Sequence, residues 1–145
     1  MGDQTVNIKD LLVAASPTVG VFAAESGWSI RIAREPKTPD SVVTIYLAGG
    51  LQPNPKWLLD FVDVQVRIRG DIRAYQAAHT KAIQVKDVLL GCDARTVNSD
   101  RIVSVTMIGD LTSLGFDDND RPLFVLNFRL IVEPAASAQT NRVAL

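Results

Sequence analysis

Hydrophobic and polar positions recur with two different periods along this chain, and the switches between them mark its elements. Ile8, Leu11, Leu12 and Ala15 return at spacings of three and four, which places them on one face of a helix. Asn7 reads as its N-cap with Asp10 in the first turn, Pro17 as an interruption, and Gly20 as the end of anything helical. From Trp28 to Ala33 apolar and polar residues alternate, the period of a strand with one dry face. The connector Glu35-Pro36-Lys37-Thr38-Pro39-Asp40 is polar and twice broken by proline. A second strand follows from Val42 to Leu47, with Val43, Ile45 and Leu47 on one face and Gly49-Gly50 as its stop.

Gln52 to Phe61 reads as a packed loop, because its prolines disfavour a regular element while Trp57, Leu58, Leu59 and Phe61 need cover. The next strand is clear: Val64, Val66 and Ile68 point one way, and Gln65, Arg67 and Arg69 the other. Asp71 is the expected N-cap of the longest helix, about residues 72–90. Its apolar stripe is Ile72, Tyr75, Ala78, Ala82, Val85 and Leu89, and Gly91 closes it. Two strand patterns remain, Ile102 to Gly109 and Pro122 to Glu133, with a turn-rich stretch between them. On the last one Phe124, Leu126, Phe128, Leu130 and Val132 form a wholly apolar face. A strand of ~11 residues reaches roughly 36 Å, so the pair predicts a long C-terminal hairpin. The expected fold is α+β: a mostly antiparallel sheet of about five strands with two helices packed on one face. Residues 1–134 are read as a single domain, and the aperiodic 135–145 as a flexible tail.

Composition narrows the functional classes. Apolar residues make up 47% and charged residues 21%, the profile of a water-soluble globular domain. With 15 basic and 16 acidic residues the net charge is −1, which argues against tight duplex binding, since such binding rests on phosphate neutralisation. Cys92 is the sole cysteine, so an intrachain disulfide and a thiolate metal cluster are excluded. Met1 to Thr5 lacks the basic and apolar regions of a signal peptide, and no apolar run approaches the ~18 residues of a membrane span.

The search for chemistry is empty. His79 is the only histidine and has no second histidine to share a metal or a proton relay, so a structural or surface role is expected. The acidic run Asp117, Asp118 and Asp120 with Asn119 lacks the glycine and distal glutamate of a calcium loop, and turn formation explains it better. Cys92 has no nearby histidine, and no nucleophile elbow or phosphate-cradling glycine motif occurs. No catalytic, cofactor-binding or metal-binding residue is assigned, and no enzyme is expected.

Two stretches carry a resemblance. Asn54-Pro55-Lys56-Trp57 with Asp60-Phe61 runs into Val64-Gln65-Val66-Arg67-Ile68-Arg69-Gly70. Arg121-Pro122 leads to Asn127-Phe128 and Glu133-Pro134. In this order and spacing the chain, from about Pro53 to Pro134, resembles the minor capsid or tail terminator proteins of long-tailed bacteriophages and prophages. The resemblance implies a ring, typically a hexamer, that caps the tail tube, ends its polymerisation and offers a surface for head–tail joining. It implies a virion location at the head–tail junction after assembly in the host cytoplasm. Tail tube protein and a neck or head-completion protein are the implied partners, with genome DNA passing through the ring without specific binding and no membrane involved.

Residue reading then places the contacts. Trp57, Leu58 and Phe61 form one candidate patch, covering the core edge or anchoring a neighbour. The tip Gly115, Phe116, Asp117, Asp118, Asn119, Asp120 and Arg121 forms a candidate reaching arm. Arg67 and Arg69 share a strand face, where a solvated face with local ion pairs, intersubunit pairing and a DNA passage all remain open. A head-side neck connector is the alternative structural reading. A small-ligand binding module or enzyme is the alternative from another class.

Overall fold

The computed structural model describes residues 2–19, 27–53 and 59–133. Among these, α1 (Gln4–Val19) leads into β1 (Ser29–Ile32), β2 (Val42–Gly50) and β3 (Asp60–Arg69). Then come α2 (Tyr75–Leu90), β4 (Arg95–Val97), β5 (Asp100–Met107), β6 (Thr112–Phe116) and β7 (Pro122–Glu133). The fold is α+β, with a single sheet of order β1-β2-β3-β7-β5-β4 and β6 paired to β7. The β1–β2 pair is parallel and the other ladders are antiparallel.

The period-two patterns place the core correctly. Ile45 lies beside Val66, which lies beside Leu126; Ile68 lies beside Phe124, and Val64 beside Phe128. All of these are essentially unexposed, and Phe124 and Phe128 are the largest buried side chains. Against them pack Ile8, Leu11 and Leu12 of α1 and Ala78, Ala82, Val85 and Leu89 of α2, so both helices cover the same face. Full burial of each large apolar side chain contributes about 2 kcal/mol. The core face of the last strand is as the alternation predicts.

The boundaries differ in instructive ways. α1 starts at Gln4 because Asp3, not Asn7, caps it: the Asp3 carboxylate accepts from Thr5 N at 3.0 Å and Thr5 Oγ1 at 2.6 Å. The helix also continues past Pro17 to Val19. α2 begins at Tyr75 rather than 72. Gly70 N donates to Pro122 O and Arg73 N to Asp120 O, so residues 70–73 are tied to the hairpin end. Arg73, with φ of 61°, has no helical conformation, and Ile72 is left 56% exposed. Asp71 accepts from Ser41 Oγ at 2.7 Å instead of capping the helix.

Among the described residues the sheet has seven strands rather than about five. β4 and β6 escape sequence reading because they are short and mostly or wholly exposed, so no alternation marks them. β3 begins at Asp60, within the stretch read as a loop, because its backbone pairing with β7 continues to Val132. The C-terminal hairpin is long but bent. Its first arm is β5, a break at 108–111 with Gly109 at φ 74°, and then β6; both pieces pair along β7. The expected tail lies outside the described residues.

Candidate interaction surfaces

The hairpin tip is built around Asp117. Its Oδ1 accepts from the backbone N–H groups of Asn119 and Arg121, both at 2.9 Å, and its Oδ2 from Arg121 Nε at 2.8 Å. Backbone bonds from Asp117 N to Arg121 O and from Asp120 N to Asp117 O close the loop. Asp120 takes the left-handed φ of 61° that the turn demands, and Gly115 supplies φ 79° on the incoming arm. The acidic run is therefore turn chemistry with a self-satisfied aspartate, and the tip is held by these bonds and by Arg73 N donating to Asp120 O. Phe116 is half exposed, and its ring lies 6.4 Å from that of Tyr75, which sits 5.1 Å from Phe124. His79 stacks on Tyr75 and meets Phe124 edge-on, the structural role expected for it. Asp118 stands exposed at the tip.

Burial pushes the Asp117 carboxyl up, but the bonds from Arg121 and Asn119 outweigh it and hold the carboxyl below its usual range. Its folded-state pKa lies below the unfolded value, so its contribution is fully present above about pH 4 and is lost as pH falls through the folded pKa. Acidification below about pH 4 is expected to loosen the tip before the core, read as early loss of amide protection at Asn119 and Arg121 by NMR. Titration of Asp117 at or above the ordinary aspartate value would contradict this.

The sheet face opposite the helices carries charge that is paired within the chain. Arg69 is 3% exposed: Nη1 donates to Glu35 Oε1 at 2.9 Å, Nε to Asp40 O at 3.0 Å and Nη2 to Pro39 O at 2.8 Å. Arg121, 8% exposed, donates to Asp117, to Asp40 Oδ1 at 3.1 Å and to Lys37 O at 2.9 Å. These two guanidinium groups strap the 35–40 connector across the end of the sheet. Arg67 is more open; its Nε lies 3.1 Å from Glu35 Oε2 without the alignment of a hydrogen bond, so the contact is electrostatic. Farther along, Arg129 holds Asp63 with a two-pronged pair at 2.8 and 3.0 Å, and Gln65 donates to Asn127 at 3.3 Å.

At the other end of the sheet, β2 and β3 meet in an apolar corner. Leu47 is 63% and Leu51 50% exposed, and Phe61 and Val62 are half buried. Gly50 has no alternative there, because a Cβ would collide with Phe61 O at a φ of 141°. One cleft of about 540 Å³ is lined by Leu47, Val62, Ala33 and the start of α1. Another of about 420 Å³ is lined by Leu51, Pro53, Asp60 and Phe61. Trp57 and Leu58 lie outside the described residues, so the structure places only Phe61 of that patch, with its backbone opposite Ile131. Leu47, expected on the apolar face with Val43 and Ile45, is exposed where β2 runs out towards Gly49-Gly50, and Leu114, beside Gly115, is exposed without having been singled out.

Asp100 was also missed. It is fully buried, and its Oδ2 accepts from Gly2 N at 2.9 Å, Gln4 Nε2 at 3.0 Å and Asn7 Nδ2 at 3.1 Å. Asn7 thus serves a buried network rather than a cap. Its Oδ1 accepts from Asn98 in the β4–β5 turn, where Asn98 and Ser99 both have positive φ. This network ties α1 to that turn. Cys92 is partly buried, and burial pushes its thiol pKa up, the opposite of what a nucleophile needs. Among the described residues no cluster of His, Cys, Asp or Glu is arranged to hold a metal ion, and no helix is long and apolar enough to cross a membrane.

Among the described residues the fold is one α+β sheet with a hairpin at one end and an apolar corner at the other. The sequence matches the family model described as bacteriophage tail terminator protein over residues 8–134, and the chain belongs to that family. It is a structural protein of the phage tail and a component of the virion. Among solved structures it is similar to a chain of the virion of a native gene transfer agent particle. The TM-score is 0.64 at 17% identity, covering 89% of this chain and 93% of that one, which is a likeness of fold. Another solved chain aligns at a TM-score of 0.49 and 14% identity, over 84% of this chain and 94% of that one. Comparison with curated protein sequences finds no match.

Proposed function

We propose that this protein is the terminator of the tail tube: a ring of identical subunits, with six as the expected number, that caps the finished tube. The family match over residues 8–134 carries this reading. The kinship of fold with a gene transfer agent virion chain agrees with it. One face of the ring meets the tail tube protein and stops further addition. The other gives the neck or head-completion protein its seat at the head–tail junction. Genome DNA then passes through the central hole.

The chemistry of the chain suits that passage. The polar sheet face pairs Arg69, Arg121 and Arg129 with Glu35, Asp40, Asp117 and Asp63, which leaves little free positive charge to grip phosphate. Arg67, partly exposed beside Glu35, is the group on that face best placed for a neighbouring subunit or the lumen. The tip and the patch around Phe61, to which Trp57 and Leu58 are assigned, are the contact surfaces.

Shortening residues 115–120, with Arg121 and its bonds to the 35–40 connector kept, tests the reading. The variant is expected to keep the helical and sheet signals of the intact protein while tails overrun their normal length and filled heads stay unjoined, seen by electron microscopy. Normal tail length with full joining would sink it. Recovery of the protein on tailless filled heads, and not on capsid-free tails, would move it to the head side of the neck.

A further inference from the structure

The two exposed apolar patches sit at opposite ends of one sheet and differ in shape. At one end β6 presents Leu114 and Phe116, 49% and 50% exposed, at the hairpin tip. At the other, the β2–β3 corner exposes Leu47 between its strands' ends and the cleft of about 540 Å³. From Val62 to Arg69, β3 spans roughly 23 Å, and Arg69 lies beside the Leu123 end of β7, where Phe116 pairs with Pro122. One copy therefore cannot bring its own tip to its own corner. Exposed apolar patches of this kind mark association surfaces.

Charge matches shape. Asp118 on the tip is exposed, and so are Arg34 next to Ala33, a wall of the larger cleft, and Arg31 two residues before it; Asp3, the acid in that lining, is engaged in capping α1. Neither Asp118 nor either arginine makes an ion pair among the described residues. We propose that the hairpin tip of one copy docks on the β2–β3 corner of the next, with Phe116 and Leu114 entering the cleft beside Leu47 and Asp118 meeting Arg34. This assignment rests on the ring reading above and says which surfaces make the ring. Because the two surfaces differ, the contact repeats head to tail and closes when the rotation between copies permits. The Asp117 bonds hold the tip in shape beforehand, so docking orders little that is not already ordered.

The test uses Phe116→Glu and Leu47→Glu in the full chain, each followed by mass measurement in solution. Each variant has one spoiled surface and one intact surface. Alone, each is expected to be monomeric; mixed, they regain one junction and give a species of twice the monomer mass and nothing larger. Asp118→Arg and Arg34→Asp are each expected to weaken association at least tenfold, and the two combined in one chain to recover most of it. If Phe116→Glu loses its cooperative thermal transition, Leu114→Glu takes its place. A mixture that stays monomeric while the unmodified chain forms rings overturns the docking and leaves the ring reading standing. An unmodified chain that is monomeric both in solution and on isolated tails overturns both.

Discussion

Arg69→Ala is expected to destabilise the protein by about 3 kcal/mol, read as a lower urea midpoint with little change in slope. The side chain is buried and binds Glu35 together with the carbonyls of Asp40 and Pro39, so truncation leaves those carbonyls without their charged donor. The loss reaches beyond one contact, because the connector it holds also carries Asp40 and Lys37 O, the partners of Arg121 at the base of the tip. Arg69→Lys is expected to recover only part of the loss, since a single ammonium cannot reproduce a planar fork of donors. Arg67→Ala, by contrast, removes a partly exposed electrostatic contact and should cost less than about 1 kcal/mol. An unchanged midpoint for Arg69→Ala would show that the connector is held by other means.

Asp100→Ala should be comparably damaging, about 3 kcal/mol, or a fall in Tm on the order of 10 °C for a chain of this size. Gln4 and Asn7 are themselves 2% and 1% exposed, so removing the carboxylate leaves each amide with one buried N–H unpaired, Asn7 keeping Gln4 Oε1 and Gln4 keeping Gly2 O. The apolar contacts of α1 through Ile8, Leu11 and Leu12 remain, which predicts a loosened helix rather than a lost fold. Hydrogen exchange should therefore accelerate in α1 and the β4–β5 turn ahead of β3 and β7. Uniform acceleration, or a Tm within about 2 °C of the parent, a shift worth well under 1 kcal/mol, would contradict this role.

Arg69 and Asp100 mark the two sides of the sheet. The helix-covered side is mostly apolar, with the buried Asp100 network tying α1 to the β4–β5 turn. The other side is a lattice of paired charges that fixes the connector and the tip relative to the strands. A ring component needs that second property, because contact surfaces at opposite ends of a sheet must keep a fixed relation for closure.

Much of this was legible in residue order. The α+β class, the stripe of α2 and the apolar face of β7 follow from period alone, because a side chain's direction within a helix or strand is set by its position. The stretches beginning at Asn54 and at Arg121 pointed to the family. Other features had no local signal. β4 and β6 bury too little to alternate, and they exist because β5 and β7 offer them backbone partners. Asp71 reads as a cap, yet residues 70–73 answer to Pro122 and Asp120 across the chain, and the helix starts late. For Arg69 local ion pairs and an outside partner were both open, and Arg121 was read as part of a reaching tip. The connector folded over both decides for bonds within the chain. Local period determined which face of each element turns to the core, while tertiary packing left Leu47, Ile72 and Tyr75 exposed. Only long-range pairing decided which polar residues are engaged within the subunit, and so which surfaces remain for a neighbour.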